Sequence, residues 1–251
     1  RNLLQAEAAG CDRVTTPCPS CLAALKTAEQ HLAEPDYKAK VEHLLGRAAP
    51  GPMDCQSVLQ LLFEQVGPSG VRQRVTRPLT GLRVACYYGC IMNRPPGLMT
   101  FDDPENPVAM DQLLEACGAT VVDFPFKTEC CGAAFAMPRL DIMQRLSARL
   151  LDMAAQVGAD CIAVACPLCQ MNLDLRRGQA NRAAGAPHAM PVPYFTQLMG
   201  LALGLPEAEL RMDKLVLPLA PALEAATKRE AGREAEKAAR QNVKAKVDAP
   251  G

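Results

Sequence analysis

The sequence predicts an α/β protein with two copies of one parallel βαβ-type unit flanked by helices, the first copy being incomplete. Three observations support this prediction. Strand-like and helix-like segments alternate along the 251 residues, which is the pattern of parallel βαβ units. A stretch near the start recurs later in the chain, and cysteines follow several predicted strands. The length suffices for one large domain or two ordinary ones.

The first elements are predicted from the segment RVTTPCPSC and the sixty residues after it. VTT predicts a short strand, and a helix is expected to begin near Ser20. Further helices are predicted around 37–45 and around 55–66, separated by the breaker run APGPM. Residues 67–81, GPSGVRQRVTRPLTG, are rich in turn formers and polar residues, which indicates a domain junction.

Beyond the junction, strands and helices alternate more regularly, as parallel units require. The predicted elements are the strand LRVACYY, a helix over 106–117, the strand ATVVDF, a helix over 138–157, the buried strand DCIAVA and a helix continuing over 170–177. Residues 222–248 carry charge on all sides, which predicts a solvated helix or a disordered tail.

An internal repeat divides the chain. RNLLQAEAAGCDRVTTPCPSCLAAL aligns with RLLDMAAQVGADCIAVACPLCQMNL, so that Cys18 meets Cys166 and Cys21 meets Cys169, a shift of 166 − 18 = 148 residues. Each copy reads as a helix, a glycine, a strand and a Cys-Pro-x-Cys turn that opens a helix, which indicates two homologous domains. The second copy begins near Leu82, so the first would begin about 66 residues before the given sequence, and we expect a truncated first domain.

The predicted domains follow from this repeat. Residues 1–75 are expected to be the end of a first domain with a helical connection, residues 76–205 a complete second domain, and residues 206–251 a charged extension, disordered or helical.

Composition narrows the class of protein. Charge is balanced, with 27 basic and 27 acidic residues, and no basic stripe predicts nucleic-acid binding. No signal peptide or transmembrane segment is recognisable. Disulfides are typical of short secreted scaffolds, whereas twelve cysteines in a long apolar chain favour metal binding in a reducing compartment, the cytoplasm.

Five cysteines are placed to form one site. Cys90, Cys130 and Cys131, Cys166 and Cys169 lie at or just after three predicted strands, and the carboxyl ends of parallel strands share one edge of a sheet. Zinc is satisfied by four ligands, so five thiolates fit an iron–sulfur cluster better. A zinc site made by the four cysteines of CPSC and CPLC is the competing interpretation, and it leaves Cys130 and Cys131 unexplained.

The remaining candidate residues have simpler explanations. Cys86 lies four residues before Cys90 and could be a spare ligand, although a buried strand thiol explains it better. His188 could approach a substrate, and residues flanking the ligand cysteines could shape the pocket. These flanking residues are Tyr87, Tyr88 and Lys127. Four further cysteines are expected in the core, namely Cys11, Cys55, Cys117 and Cys161.

The cysteine spacing resembles a known family. Residues 91–129 separate Cys90 from the CCG of 130–132, and residues 133–165 separate that motif from CPLC. Together with FDDPENP, MDQLLEACGA, ACPLCQMNLD and PVPYFTQLMGLALG, this pattern resembles the cysteine-rich CCG domain found in the B subunit of heterodisulfide reductase, over most of the chain up to about residue 217.

The resemblance implies a cofactor and a ligand set. A noncubane [4Fe–4S] cluster would be bound by Cys90, Cys130, Cys131, Cys166 and Cys169. Cys18 and Cys21 would belong to a second, incomplete cluster site. Two clusters are therefore implied in a full-length parent and one in this chain, which alone is expected to be inactive.

The resemblance also implies an activity and partners. The protein would be an oxidoreductase subunit that acts on a thiol disulfide, with a small thiol or a sulfur-carrier protein as substrate. The chain has no GxGxxG fingerprint and no ferredoxin CxxCxxCxxxC run, so electrons must come from elsewhere. A flavin-containing subunit and a ferredoxin-like [4Fe–4S] subunit are the implied partners.

A second function remains open. CCG domains also occur in lactate, glycolate and quinone-linked dehydrogenases, where the cluster would relay electrons without cleaving a disulfide. FDDPENP and FTQLMGLALG resemble the heterodisulfide reductase branch more closely. The sequence does not identify the disulfide.

Overall fold

A computed structural model describes residues 1–185 and 187–247. Helices and strands alternate along the chain, with short 3₁₀ and π turns between them. The elements are α1 (Asn2–Ala8), β1 (Arg13–Thr16), α2 (Pro19–Leu32), α3 (Pro35–Leu45), β2 (Asp54–Ser57), α4 (Val58–Gln65), α5 (Gly67–Arg72), β3 (Arg83–Tyr87), α6 (Ala109–Ala116), β4 (Thr120–Val121), α7 (Leu140–Gln156), β5 (Cys161–Val164), α8 (Pro167–Gln170), α9 (Arg177–Ala184), α10 (Phe195–Ala202) and α11 (Ala220–Val247).

The strands form two small parallel sheets, as the βαβ pattern predicts. One sheet has the order β4-β3-β5, and the other pairs β1 with β2. The segment 191–194 continues the first sheet beyond β5, because the N–H groups of Ile162 and Val164 donate to the carbonyls of Pro191 and Pro193, both at 3.1 Å. The predicted α/β class is confirmed.

Both faces of the central strands are buried, so β3 and β5 lie in the middle of the second unit. Successive side chains of a strand point to opposite faces. Val84 and Cys86 therefore pack with α6 and α10, while Ala85 and Tyr87 pack on the other side with α7. Cys86 is a core thiol, as the simpler interpretation predicted.

Three of the four other predicted core cysteines are buried, namely Cys55, Cys117 and Cys161. Cys11 is exposed, and the core prediction for it was wrong. It follows Gly10, which has a φ of 74° and turns the chain away from α1 into solvent before β1 begins.

The two copies of the repeat have the same local geometry. Cys18 and Cys166 are the N-cap residues of α2 and α8, with φ, ψ values of −117°, 114° and −132°, 122°, and a proline follows each. Proline suits the first helical position, because its missing N–H has no partner there in any helix. The likeness extends further than the sequence comparison detected. β2 and α4 stand beside β1 as the segment 191–194 and α10 stand beside β5.

Several predicted boundaries were wrong. The helix expected over 55–66 begins only at Val58, because Cys55 lies in β2, and the Ser57 side chain caps α4 by accepting from the Gln60 N–H at 2.9 Å. Residues 67–81, the expected junction, contain α5, which buries Val71, and the domain boundary there stays a prediction. The predicted strand ATVVDF is shorter, since only Thr120–Val121 form β4. The helix expected to continue over 170–177 is interrupted by a π turn, Met171–Leu175, before α9 begins.

The charged C-terminal segment is helical but not wholly solvated. Helix α11 buries Ala226 against Gly81, where an added Cβ would lie 2.4 Å from the Ala226 carbonyl oxygen. Arg229 donates to both oxygens of Asp160, at 2.8 and 3.1 Å. The first turns of α11 are thus attached to the second unit, and its residues 231–241 are exposed.

A pH-dependent contribution to stability is expected at this attachment. Burial alone would raise the pKa of Asp160, but hydrogen bonds from Arg229 and Arg83 outweigh it and hold that pKa below its usual value. The Asp160 carboxylate therefore contributes its full stabilisation above about pH 4, the pKa of Asp in the unfolded chain. This stabilisation is lost as the pH falls through the lower pKa of Asp160 in the folded protein. Asp160→Asn should lower the free energy of unfolding by about 1–2 kcal/mol at pH 7 in urea titrations. The difference from wild type should shrink below about pH 4. Asp213→Asn, at an exposed pair with Lys214, is the control.

Within the described part of the chain, no helix is both long and apolar enough to cross a membrane.

Candidate metal centre

The five predicted ligand cysteines lie at the carboxyl ends of the strands of the β4-β3-β5 sheet. Cys90 follows β3, Cys130 and Cys131 follow β4 through a loop, and Cys166 and Cys169 follow β5 and open α8. Parallel strands end at the same edge, so the topology brings residues far apart in sequence into one place.

The thiols make contact with one another in two groups. The Sγ atoms of Cys131 and Cys169 are 3.5 Å apart, and Cys169 is close enough to Cys166 to lower the pKa of that thiol. Cys90 is close enough to Cys130 to lower the pKa of Cys130. Because Cys130 and Cys131 are adjacent in the chain, the backbone connects the two groups, and the five cysteines together form the thiol cluster.

Glycines allow the loops to approach this cluster. Gly132 has a φ of 80°, and a Cβ there would lie 2.7 Å from the Cα of Met143, so only glycine fits. Its N–H donates to the Sγ of Cys130 at 3.3 Å. A Cβ on Gly89 would lie 3.0 Å from the Sγ of Cys169. The two glycines therefore let the backbone turn close to the sulfur atoms.

Buried polar side chains hold Cys131 in position. The Ser147 hydroxyl donates to the Cys131 carbonyl at 3.0 Å. The Asn172 amide donates to the same carbonyl at 3.2 Å and lies 3.5 Å from the Cys131 sulfur. Arg176 in turn donates to the Asn172 side-chain oxygen at 3.1 Å. None of these supporting groups was predicted from the sequence; the only signal was the position of Asn172 within ACPLCQMNLD.

Hydrogen bonds favour the thiolate form at Cys130. A hydrogen bond from the Cys90 thiol, helped by the N–H groups of Gly132 and Ala133, lowers the pKa of Cys130 to about 6. The Cys90 thiol is the donor, and that bond together with burial raises its own pKa.

Around Cys169, too, a thiol with a raised pKa lies beside thiols with lowered pKa values. A hydrogen bond from Cys169, with the N–H groups of Cys169 and Leu168 at the start of α8, lowers the pKa of Cys166 to about 7. A hydrogen bond with Cys169 likewise lowers the pKa of Cys131, while the pKa of Cys169 is raised. Thiolates bind metals, so these donors favour the form that a metal centre requires.

The five thiols are not arranged around a single ion. Among the described residues, no three or more His, Cys, Asp or Glu side chains converge on a position for one metal ion. They fall instead into the two groups described above.

A buried ion pair lies under the loops that carry the cysteines. Lys127 contacts Asp111 at 2.5 Å, and the Tyr88 hydroxyl donates to the same carboxylate at 2.6 Å. The Lys127 carbonyl accepts from the N–H groups of Tyr88 and Gly89, at 2.9 and 3.0 Å. Lys127 thus ties the loop that ends in Cys90 to the loop of CCG. The role of these flanking residues in shaping a pocket stays a prediction.

The first Cys-Pro-x-Cys motif lies beside the second. Cys18 is half-buried and Cys21 is exposed. A hydrogen bond with Cys18 and the negative charge of Cys18, then burial and the charge of Cys166, raise the pKa of Cys21. The Tyr194 hydroxyl lies within hydrogen-bond distance of the carbonyls of Pro17 and Ala165, which precede Cys18 and Cys166, so the two motifs are neighbours.

His188 is engaged with a carboxylate of the second unit. Its Nε2 lies 2.5 Å from the Asp152 carboxylate of α7, and its carbonyl accepts from Arg177. These contacts indicate a packing role for His188.

Comparisons with known proteins agree with the cysteine pattern. The cysteine-rich domain family CCG matches residues 1–26 and 84–174. The chain is 32% identical over 220 residues to the 8-methylmenaquinol:fumarate reductase membrane anchor subunit of Wolinella succinogenes, covering 86% of this chain and 76% of that protein. It is also 32% identical over 224 residues to the B subunit of the ferredoxin:CoB-CoM heterodisulfide reductase of Methanosarcina mazei, covering 85% and 73%.

One solved structure shares the fold. The crystal structure of a hypothetical protein from Helicobacter pylori matches 76% of this chain with a TM-score of 0.55 and 12% identity. This chain spans 35% of the length of that protein. At such low identity the match bears on fold alone.

Proposed function

Because the chain belongs to the family of CCG-domain proteins that includes the B subunit of heterodisulfide reductase, we propose that it is the iron–sulfur subunit of a heterodisulfide reductase-like complex. Its proposed reaction is the reduction, or in reverse the formation, of a thiol disulfide. The proposed cofactor is a noncubane [4Fe–4S] cluster bound by Cys90, Cys130, Cys131, Cys166 and Cys169.

The observation that carries the proposal is the cluster of five thiols at one sheet edge. The contact of 3.5 Å between Cys131 and Cys169, and the lowered pKa values of Cys130 and Cys166, fit a site for a group with several metal atoms. Five thiolates exceed what a structural zinc takes. When bound, such a cluster supplies one-electron redox chemistry and iron atoms that bind sulfur.

The protein's own groups have definable tasks at this site. The N–H groups of Gly132 and Leu168 stabilise negative charge on the ligand sulfurs. The amide of Asn172 orients Cys131 and places a positive dipole beside its sulfur. Disulfide cleavage consumes two electrons and two protons and yields two thiols, so the complex must deliver electrons to this edge of the sheet.

Partners follow from the relatives. The Methanosarcina mazei protein is named as one subunit of a ferredoxin:CoB-CoM heterodisulfide reductase. We propose a flavin-containing subunit and a ferredoxin-like [4Fe–4S] subunit as partners here, and a small thiol, its disulfide or a sulfur-carrier protein as substrate.

A second candidate is an electron-transfer subunit of a quinone-linked dehydrogenase. The observation that favours it is the similarity to the Wolinella succinogenes protein, whose name specifies a reaction between a menaquinol and fumarate. In that function the cluster would pass electrons and would not bind a thiol substrate.

The test begins with metal analysis and ends with a thiol titration. Anaerobic reconstitution with iron and sulfide should yield about four irons and about four sulfides per chain, without zinc. An EPR signal of the oxidised protein that changes on adding a thiol would support disulfide chemistry. A reversible redox signal that does not respond to any thiol would favour the electron-transfer candidate. One zinc without sulfide would contradict both.

A further inference from the structure

A single hydroxyl group joins the two Cys-Pro-x-Cys motifs. The Tyr194 oxygen lies 2.6 Å from the carbonyl of Ala165 and within hydrogen-bond distance of the carbonyl of Pro17. These carbonyls directly precede Cys166 and Cys18, and they are equivalent atoms of the repeat, since 165 − 17 = 148. One phenolic proton is therefore shared between matching positions of the two units.

The position of Tyr194 is determined by the second unit. Its backbone forms a bridge to Val164 of β5. At the start of α10 its N–H donates to the side-chain oxygen of Gln197 at 2.7 Å, and its carbonyl accepts from the Gln197 N–H at 2.9 Å. The ring packs beside Phe195, with centroids 5.8 Å apart. The hydroxyl thus extends from a rigid support to the first unit.

The link is present on only one side of the repeat. The residue that occupies the matching place in the first unit, before α4, is Ser57. Its hydroxyl accepts locally from the N–H of Gln60 at 2.9 Å. A tyrosine at this place in the second unit is therefore not required to start the helix, and its reach across the interface needs another explanation.

The hydroxyl lies between the backbone segments that lead into the two motifs. Burial, more than electrostatic repulsion from the nearby cysteines, raises the pKa of Tyr194. The phenol therefore remains protonated and remains a hydrogen-bond donor at neutral pH. Such a donor can hold the two carbonyls together without adding charge between the thiols.

We propose that Tyr194 is a positioning residue that sets the separation of the Cys18–Cys21 and Cys166–Cys169 motifs, so that both can act on one thiol or disulfide. Only the last step, the shared substrate, rests on the proposed function. The separation itself is a property of the metal-free chain and can be measured there.

The experiment compares two cross-links within one molecule. Metal-free, reduced protein is treated with dibromobimane, in which each of two thiolates displaces one bromide, and is then digested with trypsin. Cys18 and Cys21 fall in the tryptic peptide 14–26, Cys130 and Cys131 in 128–139, and Cys166 and Cys169 in 150–176. The link between 14–26 and 150–176 reports the separation of the motifs. The link between 128–139 and 150–176 reports the Cys131–Cys169 contact, which Tyr194 does not touch.

Tyr194→Phe keeps the ring and removes the hydroxyl. We expect the cross-motif link to fall about fivefold relative to the internal link, the factor expected for losing one neutral hydrogen bond. Tyr37→Phe, at an exposed tyrosine of α3, should leave the ratio unchanged. An unchanged ratio in Tyr194→Phe would overturn the proposal. If the ratio is unchanged because both links fall equally, Tyr194 has only a general packing role. Neither result depends on whether the loaded protein responds to thiols.

Discussion

The double substitution Cys130→Ser/Cys131→Ser is expected to lower the iron and sulfide that the reconstituted chain retains at least about tenfold relative to the wild type. Changing groups that only support metal ligands already costs 10–100-fold in affinity, and this change removes two of the proposed ligands themselves. It also removes the Cys131–Cys169 contact of 3.5 Å and the interaction of Cys90 with Cys130 that lowers the Cys130 pKa. Iron and acid-labile sulfide per chain, measured after desalting under anaerobic conditions, check the result.

The control also combines one more accessible and one buried cysteine, since Cys130 is half-buried and Cys131 is buried. Cys11 is exposed and Cys117 is fully buried in the core, so Cys11→Ser/Cys117→Ser imposes a comparable cost on folding away from the site. Circular dichroism should show both variants folded, and the control should retain its iron. Full iron and sulfide in Cys130→Ser/Cys131→Ser would contradict the proposed ligand set. Retention of one zinc would instead favour a site made by CPSC and CPLC.

Secondary structure was predictable wherever the hydrophobic pattern within a segment agrees with its tertiary contacts. β3, β5 and the long helix α7 have unambiguous hydrophobic patterns and were placed within a few residues of their observed bounds. The error over 55–66 has a tertiary origin. Cys55 and Gln56 pair with Val14 and Thr15 of β1, and no periodicity within the segment signals that distant partner.

The sequence predicted which cysteines the site contains, but not the side chains that orient them. Cysteine spacing after successive strands indicated which thiols would meet, because parallel topology requires it. The groups that orient them have no such signature. Asn172 depends on a π turn within a helix, and Tyr194 depends on the packing of one unit against the other. Neither feature is encoded by residue type at a fixed spacing.

Asp111→Ala is expected to lower the free energy of unfolding by about 3–5 kcal/mol, a large part of the usual total for a domain. The substitution leaves the charge of Lys127 largely buried without its partner, since both side chains of the pair are only about a tenth exposed, at 12% and 11%. It also deprives the Tyr88 hydroxyl of its acceptor. Urea unfolding at neutral pH measures the loss. Asp141→Ala, at an exposed pair on α7, should cost far less, and equal losses would contradict this account.

A second comparison separates stability from positioning. Asp111→Leu/Lys127→Met removes both charges and leaves no buried ion without a partner, so most of the lost stability should return. The Lys127 carbonyl still accepts from the N–H groups of Tyr88 and Gly89 in that variant, and this backbone contact holds the Cys90 loop beside the CCG loop. If the backbone contact positions the thiols, this variant retains as much iron as the wild type. If its stability returns while its iron retention stays below that of the wild type, the ion pair itself sets the distance between Cys90 and Cys130.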